Sequence, residues 1–343
     1  MESSRARRRR RVPLLYVALA ALTVVGGTAA GTVYVQARAH SPGTAASAVS
    51  SSATPSWAAA SGEASMEPVA RPAVDHDALL ADAMESVSVA KGAEVSVAVL
   101  DLESGESASY GDGAFDTASI VKVDVLATLL LQAQDAGRSL TAAEKTYATA
   151  MIENSDNAST SALWETIGRA EGLAAANERF GLTDTEGGEG MLWGLTQTTA
   201  TDQITLLQQV FGEDSELDED SRSYLQGLME RIAVDQRWGV SAAADGSEWA
   251  LKNGWLPRST TGLWDINSVG RVTVDGHDYL VAALSDGNTT KAGGVDLVEA
   301  AARAAVSVFT EDTSATGSAD DPSATNPSVT NPSVTDPSVT DPA

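Results

Sequence analysis

The strongest constraint on the fold is the order in which strand patterns and helix patterns follow one another between residues 73 and 311. Alternating apolar residues between Ala93 and Gly113 turn at Glu103–Gly105 and predict an antiparallel hairpin. Helical spacing dominates from 119 to 233, after which strand patterns return, joined by a hairpin turn at Asp275-Gly276. Strands at both ends and helices between them predict an α+β domain in which an antiparallel sheet, flanked by helices, gathers both ends of the chain.

Several helices have clear boundaries in this pattern. The run that starts at Ser119 has apolar residues at helical spacing and stops at Gly137, a common C-cap residue. Thr141 and Glu144 form a capping-box pattern for the next helix, which is predicted to end near Glu153. Further helices are predicted at 158–180, 200–211, 218–233 and 294–309, and strands at 247–255, 263–274 and 277–286.

The N-terminal end predicts transport to or across a membrane. Six arginines among the first eleven residues precede some two dozen residues without a charged side chain. We predict a cytoplasmic segment at 1–11, a transmembrane anchor or signal segment at 12–36 and a flexible Ala/Ser/Pro linker at 37–72. A cleaved signal is the alternative to an anchor, because Ala37-Arg38-Ala39 resembles a cleavage site. Under either interpretation, the rest of the chain lies outside the cytoplasm.

The C-terminal end is a repeat, and the chain as a whole is strongly acidic. From Asp321 it runs DPSAT, NPSVT, NPSVT, DPSVT, DPA, which is too polar and too rich in proline to form a core, so we predict a disordered tail at 312–343. The net charge of −25 argues against a nucleic-acid partner. The chain has no cysteine and therefore no disulfide framework or thiol nucleophile. We expect 73–311 to be one monomeric domain, and no motif implies a cofactor or metal.

The sequence contains two serine–lysine pairs with the spacing S-x-x-K. Ser88 and Lys91 lie where the first predicted helix runs out, whereas Ser119 and Lys122 lie where a helix begins. At a helix start, residues three apart share one face, and unpaired N–H groups there favour a developing oxyanion. The predicted domain has only two histidines, so a lysine whose pKa falls on burial is the available base for a serine nucleophile.

Two further polar clusters follow in order along the chain. Ser155-Asp156-Asn157 lies at a break between helices, and Lys252-Asn253-Gly254 lies in a predicted strand. Taken alone, the first cluster is typical of a helix N-cap and the second of an edge strand. The chain has only five lysines, and two of them fall in the first and third members of this ordered set, which favours a functional interpretation.

These three motifs resemble the S-x-x-K, S-D-N and K-T-G motifs of class A β-lactamases and penicillin-binding proteins. The resemblance extends to the order of elements across about 75–310, within the predicted domain at 73–311. It implies the β-lactamase and transpeptidase-like fold, with the active site between the sheet and an all-helical lobe. Ser119 and Ser155 are only 36 residues apart in the sequence, so we expect a reduced lobe.

The resemblance also implies a role for each matching residue. Ser119 would attack an amide carbonyl to form an acyl-serine, and Lys122 would help to remove the serine proton. Ser155 would pass a proton to the departing nitrogen, Asn157 would hold the substrate's side-chain amide, and Lys252 would add positive potential beside Ser155.

The third motif departs from the family pattern. The oxyanion hole implied by the resemblance consists of the backbone N–H groups of Ser119 and Trp255, with Asn253 and Gly254 on the substrate-binding strand. Asn253 replaces a Thr or Ser whose hydroxyl contacts the substrate carboxylate in the family, and Trp255 is bulky for the edge of the site. Arg258, or a hydroxyl of the next two residues, is the candidate partner for that carboxylate.

The residue that would release the acyl group defines three hypotheses. Glu189-Gly-Met-Leu192-Trp193 is the nearest match to the family's E-x-x-L-N, and Glu189 is either the base for the deacylating water or an ordinary surface acid. An active Glu189 predicts a serine hydrolase of the β-lactamase kind, and an inactive one a slow-deacylating penicillin-binding protein or D,D-peptidase. The third hypothesis is a non-catalytic cell-wall-binding pseudoenzyme. The expected substrate is a β-lactam or a peptidoglycan stem peptide.

Overall fold

The structure is a computed structural model, and it describes residues 74–316, with side chains as far as Thr310. The predicted cytoplasmic segment, membrane segment and linker at 1–72 lie outside the described residues, as does the tail beyond Thr316. None of the helices among the described residues combines the length and the apolar character that a membrane span needs.

The helices and strands of the described chain fall into three successive groups. The first group is α1 (His76–Met84), β1 (Glu94–Asp101), β2 (Ser107–Tyr110) and β3 (Phe115–Asp116). The second is α2 (Val121–Asp135), α3 (Ala142–Glu153), α4 (Asn157–Thr166), α5 (Arg169–Phe180), β4 (Gln197–Thr198), α6 (Ala200–Phe211) and α7 (Glu219–Met229). The third is β5 (Trp249–Pro257), β6 (Trp264–Val274), β7 (His277–Asn288) and α8 (Lys291–Thr316).

The main sheet has five antiparallel strands in the order β2-β1-β7-β6-β5. Strands from both ends of the described chain therefore meet at the centre, where β1 pairs with β7. The turn at Asp275-Gly276 places Val274 opposite His277, as the sequence predicts. The predicted α+β fold with an antiparallel sheet is confirmed.

The two faces of the sheet are covered by different helices. Along β1, Ala98 and Leu100 pack into the core shared with α2 to α7, whereas Val97 and Val99 pack into the core shared with α1 and α8. This alternation follows from the two-residue period of a strand. Helix α2 is buried on nearly all sides because it runs through the middle of the helical lobe.

Three helix boundaries differ from the sequence prediction. The helix predicted at 158–180 is two helices, because Gly168 adopts a left-handed backbone with φ 94° and breaks the run. The helix predicted at 218–233 ends at Met229. The last helix runs from Lys291 to Thr316 instead of 294–309, because no proline interrupts it and glycine does not recur until Gly317. The predicted tail therefore starts within a helix.

Candidate active site

The turn that carries Ser119 is the centre of the candidate site. Residues Ala118–Ile120 form one 3₁₀ turn, and α2 continues directly from it, so Ser119 lies at a helix start as the sequence predicts. Ala118 has a φ of 48°, a left-handed conformation that costs a non-glycine residue about 1–3 kcal/mol. Such backbone strain is common at functional sites because the surrounding structure holds it in place.

Lys122 connects the first two motifs. Its Nζ lies 2.9 Å from Ser119 Oγ, 3.0 Å from Ser155 Oγ, 2.7 Å from the Ser155 carbonyl oxygen and 2.9 Å from Asn157 Oδ1. The side chain is fully buried, so these oxygens take the place of water around the amine. The structure thus brings Ser119, Lys122, Ser155 and Asn157 together.

Lys252 approaches the same serine from the sheet. Its Nζ lies 3.2 Å from Ser155 Oγ and 3.0 Å from the carbonyl oxygen of Asn253. Ser155 itself has a left-handed φ of 56°, which turns its hydroxyl between the two amines. All three motifs therefore meet at one hydroxyl.

Burial shifts the pKa of both lysines downward. Loss of water lowers the pKa of Lys122 to about 7, and the nearby charge of Asp156 partly opposes this shift. Burial, together with the charge of Lys122, lowers the pKa of Lys252 well below its usual value. A substantial fraction of Lys122 is then neutral near pH 7 and able to accept a proton from Ser119.

In Ser155-Asp156-Asn157, the middle residue caps a helix and the two outer residues contact Lys122. Asp156 caps α4, because its Oδ1 accepts a 2.7 Å hydrogen bond from the Ser159 N–H. Side-chain and backbone hydrogen bonds from Ser159 lower the pKa of Asp156, as does the charge of Lys122. The side chains of Ser155 and Asn157 instead face Lys122. The helix-cap interpretation therefore describes Asp156, and the site interpretation describes its two neighbours.

Gly254 lets strand β5 approach the nucleophile turn. A Cβ atom at this position would lie 2.6 Å from the Thr117 carbonyl oxygen, 2.8 Å from the Ser119 nitrogen and 3.0 Å from the Ile120 nitrogen. All three are backbone atoms that cannot move aside easily. The absence of a side chain at Gly254 is therefore what allows β5 and the start of α2 to form one wall of the site.

The side chain of Asn253 points away from this cluster. Its Nδ2 donates to the carbonyl oxygens of Gln236 (2.8 Å) and Trp238 (2.9 Å), on the face of β5 opposite Lys252. The resemblance places Asn253 on the substrate-binding strand, where the family has a Thr or Ser that contacts the substrate carboxylate. In the structure, the Asn253 amide instead anchors the segment that precedes β5. The substrate-contact role of this side chain has no support in the geometry.

The side chain of Trp255 also lies on the far face of the sheet. Its ring is 6.0 Å from the Trp238 ring, and the Lys291 ammonium lies 4.0 Å from its centroid. The expectation that the bulk of Trp255 restricts the site is therefore wrong. Adjacent residues of a strand face opposite ways, so Trp255 points away from the side on which Gly254 meets the turn around Ser119. Only its backbone is available to the predicted oxyanion hole.

Arg258 is already paired with acids. Its guanidinium contacts Asp116 and lies 3.4 Å from Asp265. Burial raises the pKa of Asp265 to about 6, with Arg258 opposing the shift. A substrate carboxylate would have to compete with these two side chains for Arg258.

The loop between α5 and β4 places Glu189 and Trp193 differently. Glu189 is exposed, and its carboxylate has no hydrogen bond or ion pair in the described structure. Trp193 turns inward, with its ring centroid 5.0 Å from Lys122 Nζ and its Nε1 donating to Ser161 Oγ at 3.2 Å. Sequence reasoning did not assign Trp193 to the site, although Trp193 occupies the asparagine position of the E-x-x-L-N comparison.

Asn267 is a second residue that sequence reasoning did not identify. Its Nδ2 donates to the carbonyl oxygens of Asp116 (2.9 Å) and Thr117 (3.1 Å), which ties the nucleophile turn to β6. An asparagine in the middle of a buried strand is unusual, and this was the available signal. Among the described residues, no group of three or more potential ligands is arranged to hold a metal ion.

Comparisons with known proteins identify a related family and similar folds. The model of the beta-lactamase enzyme family matches residues 142–309. Among solved structures, a PBP-A variant in an acyl-enzyme complex with penicillin G aligns with a TM-score of 0.58 and 22% identity, over 68% of this chain and 97% of that one. The TLA-1 extended-spectrum beta-lactamase aligns with a TM-score of 0.59 and 14% identity, over 68% and 98%.

A beta-lactamase from Chitinophaga pinensis gives the same result, with a TM-score of 0.58 and 16% identity over 70% of this chain and 100% of that one. No curated protein matches the sequence. At these identities, the structural likeness establishes the fold.

Proposed function

Because the chain is related to the beta-lactamase enzyme family, we propose that it is a serine hydrolase that forms an acyl-enzyme on Ser119. The observation that carries this proposal is the 2.9 Å separation of Lys122 Nζ and Ser119 Oγ, with the pKa of Lys122 lowered to about 7 by burial. This pairing supplies a nucleophile and a base in hydrogen-bonding contact.

In the proposed acylation step, neutral Lys122 accepts the hydroxyl proton of Ser119 while Oγ bonds to the carbonyl carbon of an amide. The backbone N–H groups of Ser119 and Trp255 stabilise the resulting oxyanion. The C–N bond then breaks, and the nitrogen leaves with a proton relayed by Ser155, whose Oγ is within reach of both lysines. The products are an acyl-serine ester and an amine.

The proposed substrate is a β-lactam or a peptidoglycan-type peptide, processed outside the cytoplasm. Asn157 is the proposed partner of the substrate's side-chain amide, and Lys252 supplies positive potential beside Ser155. The relationship to a PBP-A variant that forms an acyl-enzyme with penicillin G supports this substrate class. The proposed location rests on the arginine-rich, uncharged N-terminal segment, outside the described residues.

One observation favours a slow-deacylating penicillin-binding protein over an efficient β-lactamase. Efficient β-lactamases use a dedicated carboxylate to activate the hydrolytic water, and the candidate here, Glu189, is exposed, without a contact that would hold its carboxylate near Ser119. Acylation would then proceed while release of the acyl group stays slow.

The test uses the full-length protein in detergent, incubated with a fluorescent penicillin and separately with a chromogenic cephalosporin. We expect persistent fluorescent labelling that is lost in Ser119→Ala. Ser88→Ala, which alters the other S-x-x-K pair, is the matched control and should label normally.

The cephalosporin separates the remaining candidates. Rapid turnover that disappears in Glu189→Gln would identify an efficient β-lactamase and overturn the slow-deacylating alternative. Absence of any reaction dependent on Ser119, with peptide amides included, would overturn the proposed function and favour the non-catalytic binding protein.

A further inference from the structure

The indole of Trp193 lies beside the Lys122 amine, next to the polar groups that contact that amine. The amine is surrounded by Ser119, Ser155 and Asn157, and the indole ring lies 5.0 Å from Nζ on the side of the loop between α5 and β4. The indole is half-buried and packs against the main core of the helical lobe. An apolar ring is therefore one of the groups that surround the amine.

Several contacts fix this loop against the nucleophile turn. The Thr117 N–H donates to the Thr196 carbonyl oxygen at 2.8 Å. Gly194 lies against the same turn, because a Cβ atom added at this glycine would be 3.8 Å from Ala118 Cα. On the helical side, Trp164 Nε1 donates to the Gly190 carbonyl oxygen at 2.7 Å. Trp193 is thus presented by an anchored segment and not by a free lid.

The indole ring of Trp193 is also held by a hydrogen bond of its own. Its Nε1 donates to Ser161 Oγ on α4 at 3.2 Å, one turn after the segment that supplies Ser155 and Asn157. The ring, the second motif and Lys122 therefore form one packed unit, and removing the indole would open a path for water to that unit.

We propose that Trp193 is a positioning residue that excludes water from the Ser119–Lys122 pair and thereby prolongs the life of the acyl-serine ester. This inference rests on the proposed function, because it concerns the ester that acylation would leave on Ser119. Hydrolysis needs a water molecule beside the ester and a base to take its proton. Trp193 lies 5.0 Å from the Lys122 amine, which adjoins that ester, while Glu189 faces solvent.

Removing the indole should allow water to hydrolyse the acyl-serine ester. Water then adds to the acyl carbonyl carbon, its proton passes to Lys122, and the bond from the acyl carbon to Ser119 Oγ breaks. The carboxylic acid leaves, and Ser119 regains a proton. The charged groups that face Lys122 in this state are Asp156 from the start of α4 and Lys252 from β5.

The test measures acylation and deacylation separately in the full-length protein. After labelling with fluorescent penicillin, excess reagent is removed and loss of the label is followed with time. We expect Trp193→Ala to shorten the lifetime of the label by about tenfold or more, a change of about 1.4 kcal/mol in the barrier, while still labelling through Ser119. Trp193→Phe, which retains an apolar ring, should stay within about threefold of the unaltered protein.

Two further variants make the result specific. Trp238→Ala removes an indole that lies near a lysine on the opposite face of the sheet, 5.8 Å from Lys291 Nζ, and should leave the lifetime unchanged. Trp193→Gln replaces the ring with a polar side chain and decides the question if Trp193→Ala does not fold, because it should also shorten the lifetime.

The outcomes separate this proposal from the proposed function. Labelling of the unaltered protein with equal lifetimes in all folded Trp193 variants overturns the role of Trp193 alone. No Ser119-dependent labelling in the unaltered protein overturns both proposals, since no ester would exist for the indole to protect. A shorter lifetime in Trp238→Ala as well would show a general effect of indole loss and overturn the specific assignment.

Discussion

Lys122 and Lys252 point at the same hydroxyl oxygen: their Nζ atoms lie 3.0 Å and 3.2 Å from Ser155 Oγ. Two ammonium groups at this distance from one atom repel each other, and both are removed from water. Burial lowers the pKa of both amines, and the charge of Lys122 lowers the pKa of Lys252 further, so a neutral amine is available as a base near pH 7.

The rate of acylation should rise with pH through a midpoint near 7. The base form of Lys122 is neutral, its pKa is about 7, and protonation at lower pH removes the base. Asp156→Asn retains a residue suited to cap α4 but removes the charge that raises the pKa of Lys122, so its midpoint should move to lower pH. Acylation rate constants between roughly pH 5 and pH 9 check this, and an unchanged midpoint in the variant would contradict it.

Gly254→Ala should damage the site through the backbone. The added Cβ would lie within 3.0 Å of three backbone atoms of the turn around Ser119, so β5 or the turn must shift. We expect a loss of about 1–3 kcal/mol in the free energy of unfolding and a large fall in the acylation rate. Gly246→Ala has open space around its Cβ and should leave both quantities nearly unchanged. Denaturant unfolding and penicillin labelling measure the two effects.

Asn253→Thr should reduce stability without improving the site. The substitution introduces the residue type of the family motif, but it removes two hydrogen bonds to the Gln236 and Trp238 carbonyl oxygens. We expect a cost of about 2 kcal/mol, measured by thermal or denaturant unfolding. Faster acylation with unchanged stability would show instead that the side chain faces the substrate.

Asp124→Asn should change how stability depends on pH. Burial raises the pKa of Asp124 to about 7, the hydrogen bond from Asn177 opposes the rise, and Asp202 adds to it. Between the unfolded value of 3.8 and about 7, the folded protein binds a proton that the unfolded chain has lost, so stability falls as pH rises.

The asparagine variant removes this ionisation and can pair with the Asn177 amide, so its stability above pH 7 should exceed that of the unaltered protein. At pH 8, where the whole shift contributes, the gain should be roughly 4 kcal/mol or less by the linkage between pKa and stability. The control is Glu178→Gln, which neutralises an exposed acid next to Asn177 in the sequence. Denaturant unfolding at pH 4 and pH 8 gives the comparison, and a gain in the control equal to that of Asp124→Asn would contradict the assignment.

The parts of the fold that local sequence determines were predictable. The Thr141 and Glu144 capping box forms both of its hydrogen bonds, at 3.2 Å and 2.7 Å, because each partner is three residues from the other. The hairpin turn at Asp275-Gly276 and the helix start at Ser119 are local in the same sense. The order of the three motifs also identified the residues that meet around Ser155.

Features that depend on packing between distant segments were not predictable. The direction of the Asn253 side chain follows from the alternation of β5, but which face of β5 meets the helical lobe is decided by the whole sheet. The contact of Trp193 with Lys122 joins residues 71 positions apart, and nothing in the local sequence fixes that distance. The break at Gly168 was missed because an isolated glycine is tolerated in many helices.

The rings of His76 and Phe309 lie 4.6 Å apart, so the first and last helices bring the two ends of the domain together. Both helices pack on the face of the sheet opposite the helical lobe that contributes Lys122 and Ser155. The first and last helices of the domain therefore meet on the side of the sheet that faces away from Lys122 and Ser155.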